Sequence, residues 1–286
     1  MKKSNQPALI FLHIPKTAGT TLTTVLARQY PQDKTLSIFD EPLDAPSLQQ
    51  LPEHQREKLQ YVRGHVRFGL HEFLPQPSTY ITFLRDPIDR IISTYYFTFR
   101  TPSHPLYELF LSQKIGLGDF VSSGIRVMTE NGQVRLLAGK AGVETPFGQC
   151  NAELLDIAKH NIQDKFSLVG LSGRFDESLI LLKRQFGWRN VAYISRNVTA
   201  NRPQKADVSE QDLALIQEYN QLDLELYRYI QEQFQQQIDE QGADFAQELS
   251  RFKAANKRAA VVQGAIVATR DTILSPLRQI KQGLYR

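Results

Sequence analysis

"FLHIPKTAGTTLTTVLARQY", residues 11–30, passes from an apolar run through Lys16, Thr17, Ala18, Gly19, Thr20 and Thr21 into a helix-like pattern. In an open α/β sheet, the loop that leaves the first strand at a helix N-terminus is a ready anion site. Gly19 lets the backbone curl so that successive N–H groups point inward, Thr20 and Thr21 add hydroxyl donors, and Lys16 adds a positive charge. Such a loop suits a phosphate or sulfate group. Its order departs from the Walker A pattern, whose lysine directly follows the last glycine: here Lys16 precedes Gly19, and no glycine starts the loop. The pattern disfavours an ordinary Mg-dependent NTPase. A non-standard one, or a strand-to-helix turn with no ligand, stays open.

The same alternation recurs outward from this segment. ALIFLH (8–13), YVRGHV (61–66), STYITFLR (78–85), FSLVG (166–170) and NVAYIS (190–195) read as strands, with helical patterns at 19–30, 86–99 and 176–186. The expected fold is α/β, a three-layer P-loop-like domain with a mainly parallel central sheet. Residues 105–164, with turn signals at Gly116, Gly118, Gly124, Gly132 and Gly139, read as a helical insertion. Ser209 with Asp212 is a capping-box variant that opens a long helix over 209–237, with Leu213, Ile216, Leu222, Leu226 and Ile230 on one face. The expected division is a single α/β domain over 1–250 and a basic amphipathic helical tail over 251–286.

With 286 residues, 41% of them apolar and 22% charged, the chain is long enough for one large domain. Its one cysteine, Cys150, excludes an intramolecular disulfide framework and a multi-cysteine zinc site. No metal is expected. The first residues, MKKSNQPALIFLHIPK, show no small-residue cleavage site, and no segment approaches the roughly 18 apolar residues of a membrane span. The expected location is the cytoplasm. The +4 charge is uneven, because residues 251–286 carry eight Lys/Arg against Asp271 alone, a net +7 that leaves −3 for residues 1–250. Phe252, Ala255, Ala259, Val262, Ile266 and Ile273 give that tail helical periodicity. It reads either as a peripheral contact with an anionic membrane or as a helix packed on its own domain. No nucleic-acid partner is expected.

TFLRDPIDRIISTYYF (82–97) repeats the logic of the first loop. An apolar strand ends in Arg85, Asp86 and Pro87 supply the N-cap and first helical residue, and Ser93 lies two turns inside the helix. Arg85 offers a planar fork and Ser93 a hydroxyl, a pair suited to a terminal phosphomonoester. Arg85 as a partner of Asp86 or Asp89 is the plainer alternative. Two anion sites on neighbouring strands imply a ligand with two separated anionic groups.

HIPKTAGTT together with FLRDPIDRIISTYYF resembles the two cofactor motifs of sulfotransferases that use 3′-phosphoadenosine 5′-phosphosulfate (PAPS). The likeness is greatest to the branch containing glycosaminoglycan (heparan sulfate) 2-O-sulfotransferases and their bacterial relatives. Weaker echoes in NGQVRLLAG (131–139), VGLSGRFDESLILL (169–182), RNVTANRP (196–203) and NQLDLELYRYI (220–230) extend the resemblance from about residue 8 to 231. It implies PAPS as sulfuryl donor, with the 5′-phosphosulfate on Lys16, Thr17, Ala18, Gly19, Thr20 and Thr21 and the 3′-phosphate on Arg85 and Ser93. It also implies a hydroxylated acceptor, a saccharide or polysaccharide, and a catalytic Lys16 that stabilises charge on the bridging oxygen. RNVTANRP would close over the nucleotide.

An acceptor hydroxyl must lose a proton, and a base near neutral pKa suits that. His65 is the expected base: it ends a predicted strand between the two motifs, and the 2-O enzymes carry a histidine at the matching place. Those relatives show His-Gly-His where this chain has Arg63-Gly64-His65. His71 and Glu72 are the alternative bases. Arg63, Arg67 and Arg100 could line an acceptor cleft and favour an acidic acceptor. Two rival readings remain: a Mg-dependent kinase-like phosphoryl transferase with an atypical loop, and a non-catalytic nucleotide- or membrane-associated binding protein.

Overall fold

The computed structural model describes residues 7–39, 41–193, 205–259 and 261 of the chain. Five strands, β1 (Ala8–Leu12), β2 (Thr35–Ile38), β3 (Tyr61–Gly64), β4 (Ser78–Leu84) and β5 (Phe166–Leu171), form one sheet in the order β2-β3-β1-β4-β5. Every neighbouring pair is parallel. All residues of β1 are buried, so the sheet is covered on both faces at its centre, as a parallel sheet requires. Because β1 pairs with β3 on one side and β4 on the other, the loop after Leu12 lies between the carboxyl ends of both neighbours.

The helices are α1 (Gly19–Leu26), α2 (Pro46–Gln50), α3 (Glu53–Arg56), α4 (Pro87–Arg100), α5 (Tyr107–Gln113), α6 (Leu117–Ser122), α7 (Gly132–Leu137), α8 (Lys140–Glu144), α9 (Ala152–Lys165), α10 (Phe175–Phe186), α11 (Glu210–Tyr219) and α12 (Gln221–Asp239). The segment read as a helical insertion is α5–α9. One apolar core surrounds the sheet; a second, built on Ile88, Ile91 and Ile92 of α4 with Phe110, Phe120 and Ile216, joins α4 to the insertion and α11.

Three elements differ from the sequence reading. β2 is an edge strand, TLSI, with one fully buried residue, so it carries no apolar run to announce it. Residues 190–193 of the expected strand NVAYIS are not in a strand, and 194–195 lie outside the described residues. The long helix over 209–237 is two helices broken at Asn220. Ser209 does cap the first, its hydroxyl accepting from the Asp212 N–H at 3.1 Å.

The break has a side-chain cause. Asn220 Oδ1 accepts from the Asn131 N–H at 3.2 Å, and its Nδ2 donates to the carbonyls of Thr129 and Ile216 at 2.9 and 3.0 Å. Asn131 answers by accepting the N–H groups of Leu222 and Asp223 at 3.0 and 3.1 Å. Each asparagine thus satisfies backbone groups that a helix end leaves open, so the bend costs no buried unpaired donor. Apolar periodicity runs straight through this joint and cannot show it.

Residues 244–259 form one helix that crosses the 250/251 division. Phe252 lies 6.3 Å from the Tyr193 ring, and Asn256 Oδ1 accepts from the Tyr193 N–H at 3.2 Å, so this part of the basic segment packs on the domain. Residues 262–286 lie outside the described residues, as does the loop RNVTANRP. No helix among the described residues is long and apolar enough to cross a membrane.

Candidate active site

The loop between β1 and α1 is turned by its non-glycine residues. Lys16 and Ala18 hold left-handed backbone angles, φ 71° and 68°, each an arrangement that costs of order 1 kcal/mol and is kept where surroundings enforce it. Alternating turns of this kind aim backbone N–H groups into a concavity. Thr17, fully buried between them, donates its hydroxyl to the Ile14 carbonyl at 2.8 Å, so its own hydrogen is spent on holding the loop. No side chain caps the N-terminus of α1, which leaves its first amides available to an anion.

Gly19 serves a purpose other than curl. A Cβ there would lie 1.8 Å from Nε2 of His13, so glycine is needed because the imidazole occupies the space a side chain would fill. His13 is buried against this position, and burial, reinforced by His65, Arg63 and Lys16, lowers its pKa to about 3. It is neutral at working pH. Its Nδ1 is buried with no hydrogen-bond partner.

Arg85 leaves the end of β4 and reaches back to the loop, its Nη1 donating to the Lys16 carbonyl at 3.0 Å. Its backbone is held on both sides by one buried side chain: Arg85 N–H donates to Gln133 Oε1 at 3.1 Å, and Gln133 Nε2 donates to the Arg85 carbonyl at 3.0 Å. Asp86 caps α4 by accepting the Asp89 N–H and forms an ion pair with Lys205 at 2.9 Å. Among the described residues Arg85 forms no ion pair with Asp86 or Asp89, which removes the plainer account of it. Ser93 is half-buried on α4. Lys16 Nζ sits 4.0 Å from the centre of the Phe97 ring, one turn beyond Ser93 on the same side of that helix. Lys16 and Arg85 therefore meet at the carboxyl ends of the central strands β1 and β4, with Ser93 one turn before Phe97 on the adjoining helix.

His65 follows β3. A Cβ at Gly64 would lie 1.8 Å from the Ile38 carbonyl oxygen, and the His65 N–H donates to that same carbonyl at 3.1 Å, so Gly64 lets β2 close on the strand end that carries the histidine. The His65 ring lies 4.8 Å from His13 and 5.1 Å from Phe39. His71 is elsewhere: its Nδ1 meets the Tyr80 hydroxyl at 3.1 Å, and Tyr80 lies in β4 five residues before Arg85, on the order of 16 Å along the strand. Burial also lowers the His71 pKa.

A cavity of about 460 Å³ opens beside the loop, bordered by His13, Pro15 and His65, by Arg90 and Thr94 of α4, and by Arg126 and Met128 of the insertion. None of the arginines expected to line an acceptor cleft borders it. Arg63 donates to Ser37 Oγ at 2.8 Å, Arg67 to the Phe68 carbonyl at 2.9 Å, and Arg100 lies over Tyr96. The arginines at the cavity are Arg90 and Arg126, which no spacing singled out. Arg90 is paired at 3.4 Å with Asp223, whose carboxylate also accepts the Gln133 and Val134 N–H groups at the start of α7. Among the described residues no three His, Cys, Asp or Glu side chains are grouped as a metal would require.

The fold is an all-parallel α/β sheet in which an uncapped strand-to-helix loop after β1 is tied by Arg85 to the end of the neighbouring strand β4. The family model for galactose-3-O-sulfotransferases matches residues 2–282, and the chain belongs to that family. It is 26% identical over 271 residues to human galactosylceramide sulfotransferase, covering 87% of this chain and 62% of the relative. Mouse galactose-3-O-sulfotransferase 3 is 25% identical, covering 84% of the chain and 59% of the relative. Human heparan-sulfate 6-O-sulfotransferase 1 is 26% identical, covering 80% and 66%. The chain thus spans about three fifths of the length of the first two relatives. The motif resemblance and the family model agree on the sulfotransferase class; the matching model is of the galactose 3-O kind rather than the glycosaminoglycan 2-O kind.

Proposed function

We propose that this chain is a sulfotransferase that moves a sulfuryl group from PAPS to a hydroxyl of a saccharide. The observation that carries the reading is the Arg85 to Lys16 hydrogen bond, which ties a cradle suited to a phosphosulfate to a strand end suited to a 3′-phosphate. The loop fits such a donor: its two left-handed residues, its uncapped helix start and the space denied to any side chain at residue 19 leave backbone amides as the lining. When bound, PAPS supplies a sulfuryl group on a phosphate leaving group.

Lys16, whose ammonium rests over Phe97, would supply positive charge to the leaving phosphate, and the loop's free backbone amides would hold the anion, so rate would come from positioning and electrostatics. Arg85 and Ser93 anchor the far phosphate, and the scheme calls for no metal. His65, which borders the cavity, would take the acceptor proton, while His13, held neutral, borders the same cavity with its ring 4.8 Å away. The loop is P-loop-like in position but not in lysine order.

The relatives' names include galactosylceramide, galactose and heparan sulfate, all saccharide-bearing, and they support a saccharide acceptor. Placement beside the 2-O enzymes rests on HIPKTAGTT, FLRDPIDRIISTYYF and His65 alone. A cytoplasmic location, and peripheral membrane contact by the basic segment 251–286, are readings of composition.

Calorimetric titration tests the donor: adenosine 3′,5′-bisphosphate should bind without metal, and binding of Mg-ATP alone would replace this reading with the kinase-like one. Labelled PAPS incubated with β-galactosides and glycosaminoglycan fragments should yield a labelled saccharide. Nucleotide binding with no transfer to any hydroxyl compound would favour a non-catalytic binding protein.

A further inference from the structure

Arg126 borders the same cavity as His65, and among the described residues no carboxylate pairs with it. Its Nη1 meets Nε2 of His104 at 3.3 Å, and its named charged neighbour is Arg90, of the same sign. Arg90 has Asp223, buried beside it. Glu41 also borders the cavity, but its carboxylate accepts the Ser47 N–H at 3.0 Å and the Ser47 hydroxyl. The cavity lining therefore holds two guanidinium groups, of which only one is paired with a carboxylate. Burial weakens Arg126's hold on its proton, as expected for a cation withdrawn from water without a counter-ion.

We propose that Arg126 is a specificity residue that receives a carboxylate or sulfate substituent of the acceptor, so that the saccharide taken into this cavity is acidic. This rests on the sulfotransferase reading of the same site. The guanidinium fork matches both groups in a bidentate way that an ammonium does not. A cavity of about 460 Å³ is within the range of small-ligand sites, and His65 on the same lining lies ready for a hydroxyl of the bound sugar. The anion is the acceptor's rather than the donor's because Arg126 and Arg90 line this cavity, whereas Arg85, the anchor assigned to the donor, is clamped to the neighbouring loop.

The test is calorimetric titration with three disaccharides that differ only in one ring: glucose, glucuronate or 6-O-sulfoglucose. Each is titrated with and without saturating adenosine 3′,5′-bisphosphate. At least one acidic sugar should bind about tenfold or more tightly than the neutral one, the scale of a charged hydrogen bond, and which one identifies the group. Arg126→Gln should bring the ratio close to one, and Arg126→Lys should keep part of it. Equal binding of all three sugars to the wild type overturns the proposal, as does no binding of any. So does an unchanged ratio in a folded Arg126→Gln protein, or a variant that loses nucleotide affinity instead. Should Arg126→Gln fail to fold, as judged by its melting transition, the wild-type ratio and Arg126→Lys decide. Because sugar binding is read without turnover, absence of sulfuryl transfer counts against the sulfotransferase reading and leaves this result standing by itself.

Discussion

Arg85 Nη1 donates to the backbone carbonyl of Lys16 at 3.0 Å, across 69 residues of sequence. One guanidinium therefore fixes the loop that carries Lys16, and in the proposed function the same group would also hold the far phosphate of the donor. The two residues should separate kinetically. Arg85→Ala should weaken adenosine 3′,5′-bisphosphate binding by about tenfold or more, from loss of a charged contact. Lys16→Ala should lower kcat by roughly a hundredfold with a smaller change in nucleotide affinity, as for loss of a group that acts on developing charge. Gln133→Leu, which removes both bonds to the Arg85 backbone, should shift nucleotide affinity in the Arg85 direction. Titration calorimetry and steady-state kinetics on the same preparations check this; matching losses of affinity and kcat in Lys16→Ala would contradict it.

Gly19→Ala should destabilise the fold by about 2 kcal/mol, because the new methyl group would collide with the His13 ring. Truncating His13 as well should recover part of that loss, since the two positions share one space. Urea unfolding of the two single variants and the double variant measures the coupling; strict additivity would show that the contact does not limit residue 19.

His65→Ala should lower kcat by between about a hundredfold and ten-thousandfold, with nucleotide binding retained. His13 behaves differently. Its folded pKa, about 3, lies below the ordinary histidine value, so between that value and about 6.5 the unfolded chain binds a proton that the folded one refuses. Stability should therefore fall as pH drops from about 6.5 toward 3. Unfolding midpoints at pH 7 and pH 5 should differ less in His13→Gln than in the wild type. An equal shift in both proteins would assign the acid sensitivity to other groups.

Asp223→Ala should cost about 3–5 kcal/mol, because it leaves the buried Arg90 without its partner and the first amides of α7 without their acceptor. It should also raise the KM for acceptor, since Arg90 borders the cavity. Guanidinium unfolding and acceptor titrations check the two parts; a loss below 1 kcal/mol would mean that Arg90 reaches another counter-charge.

The sequence by itself determined the frame of this protein. The runs at 8–13, 61–66, 78–85 and 166–170 became β1, β3, β4 and β5, because strands buried over most of their length carry short, largely apolar segments, continuous only in the fully buried β1. Asp86 and Pro87 marked the start of α4, and Ser209 that of α11, because capping is local chemistry. Lys16, Thr17–Thr21, Arg85 and Ser93 were nameable for the same reason: each stands at a strand end or in the first turns of the following helix.

Only the tertiary structure decided what those residues meet. That Gly19 makes room for His13, that Thr17 spends its hydroxyl on Ile14, and that Arg85 grips the Lys16 carbonyl depend on atoms brought together from separate strands. The edge strand β2 and the break at Asn220 were hidden, the first because only one of its residues is fully buried, the second because Asn131 stabilises the bend from 89 residues away. The choice of arginines at the cavity, Arg90 and Arg126 in place of Arg63, Arg67 and Arg100, was likewise out of reach of spacing. Which charged side chain finds a counter-charge is settled by the packing of α12 against α4, and local pattern carries no record of it.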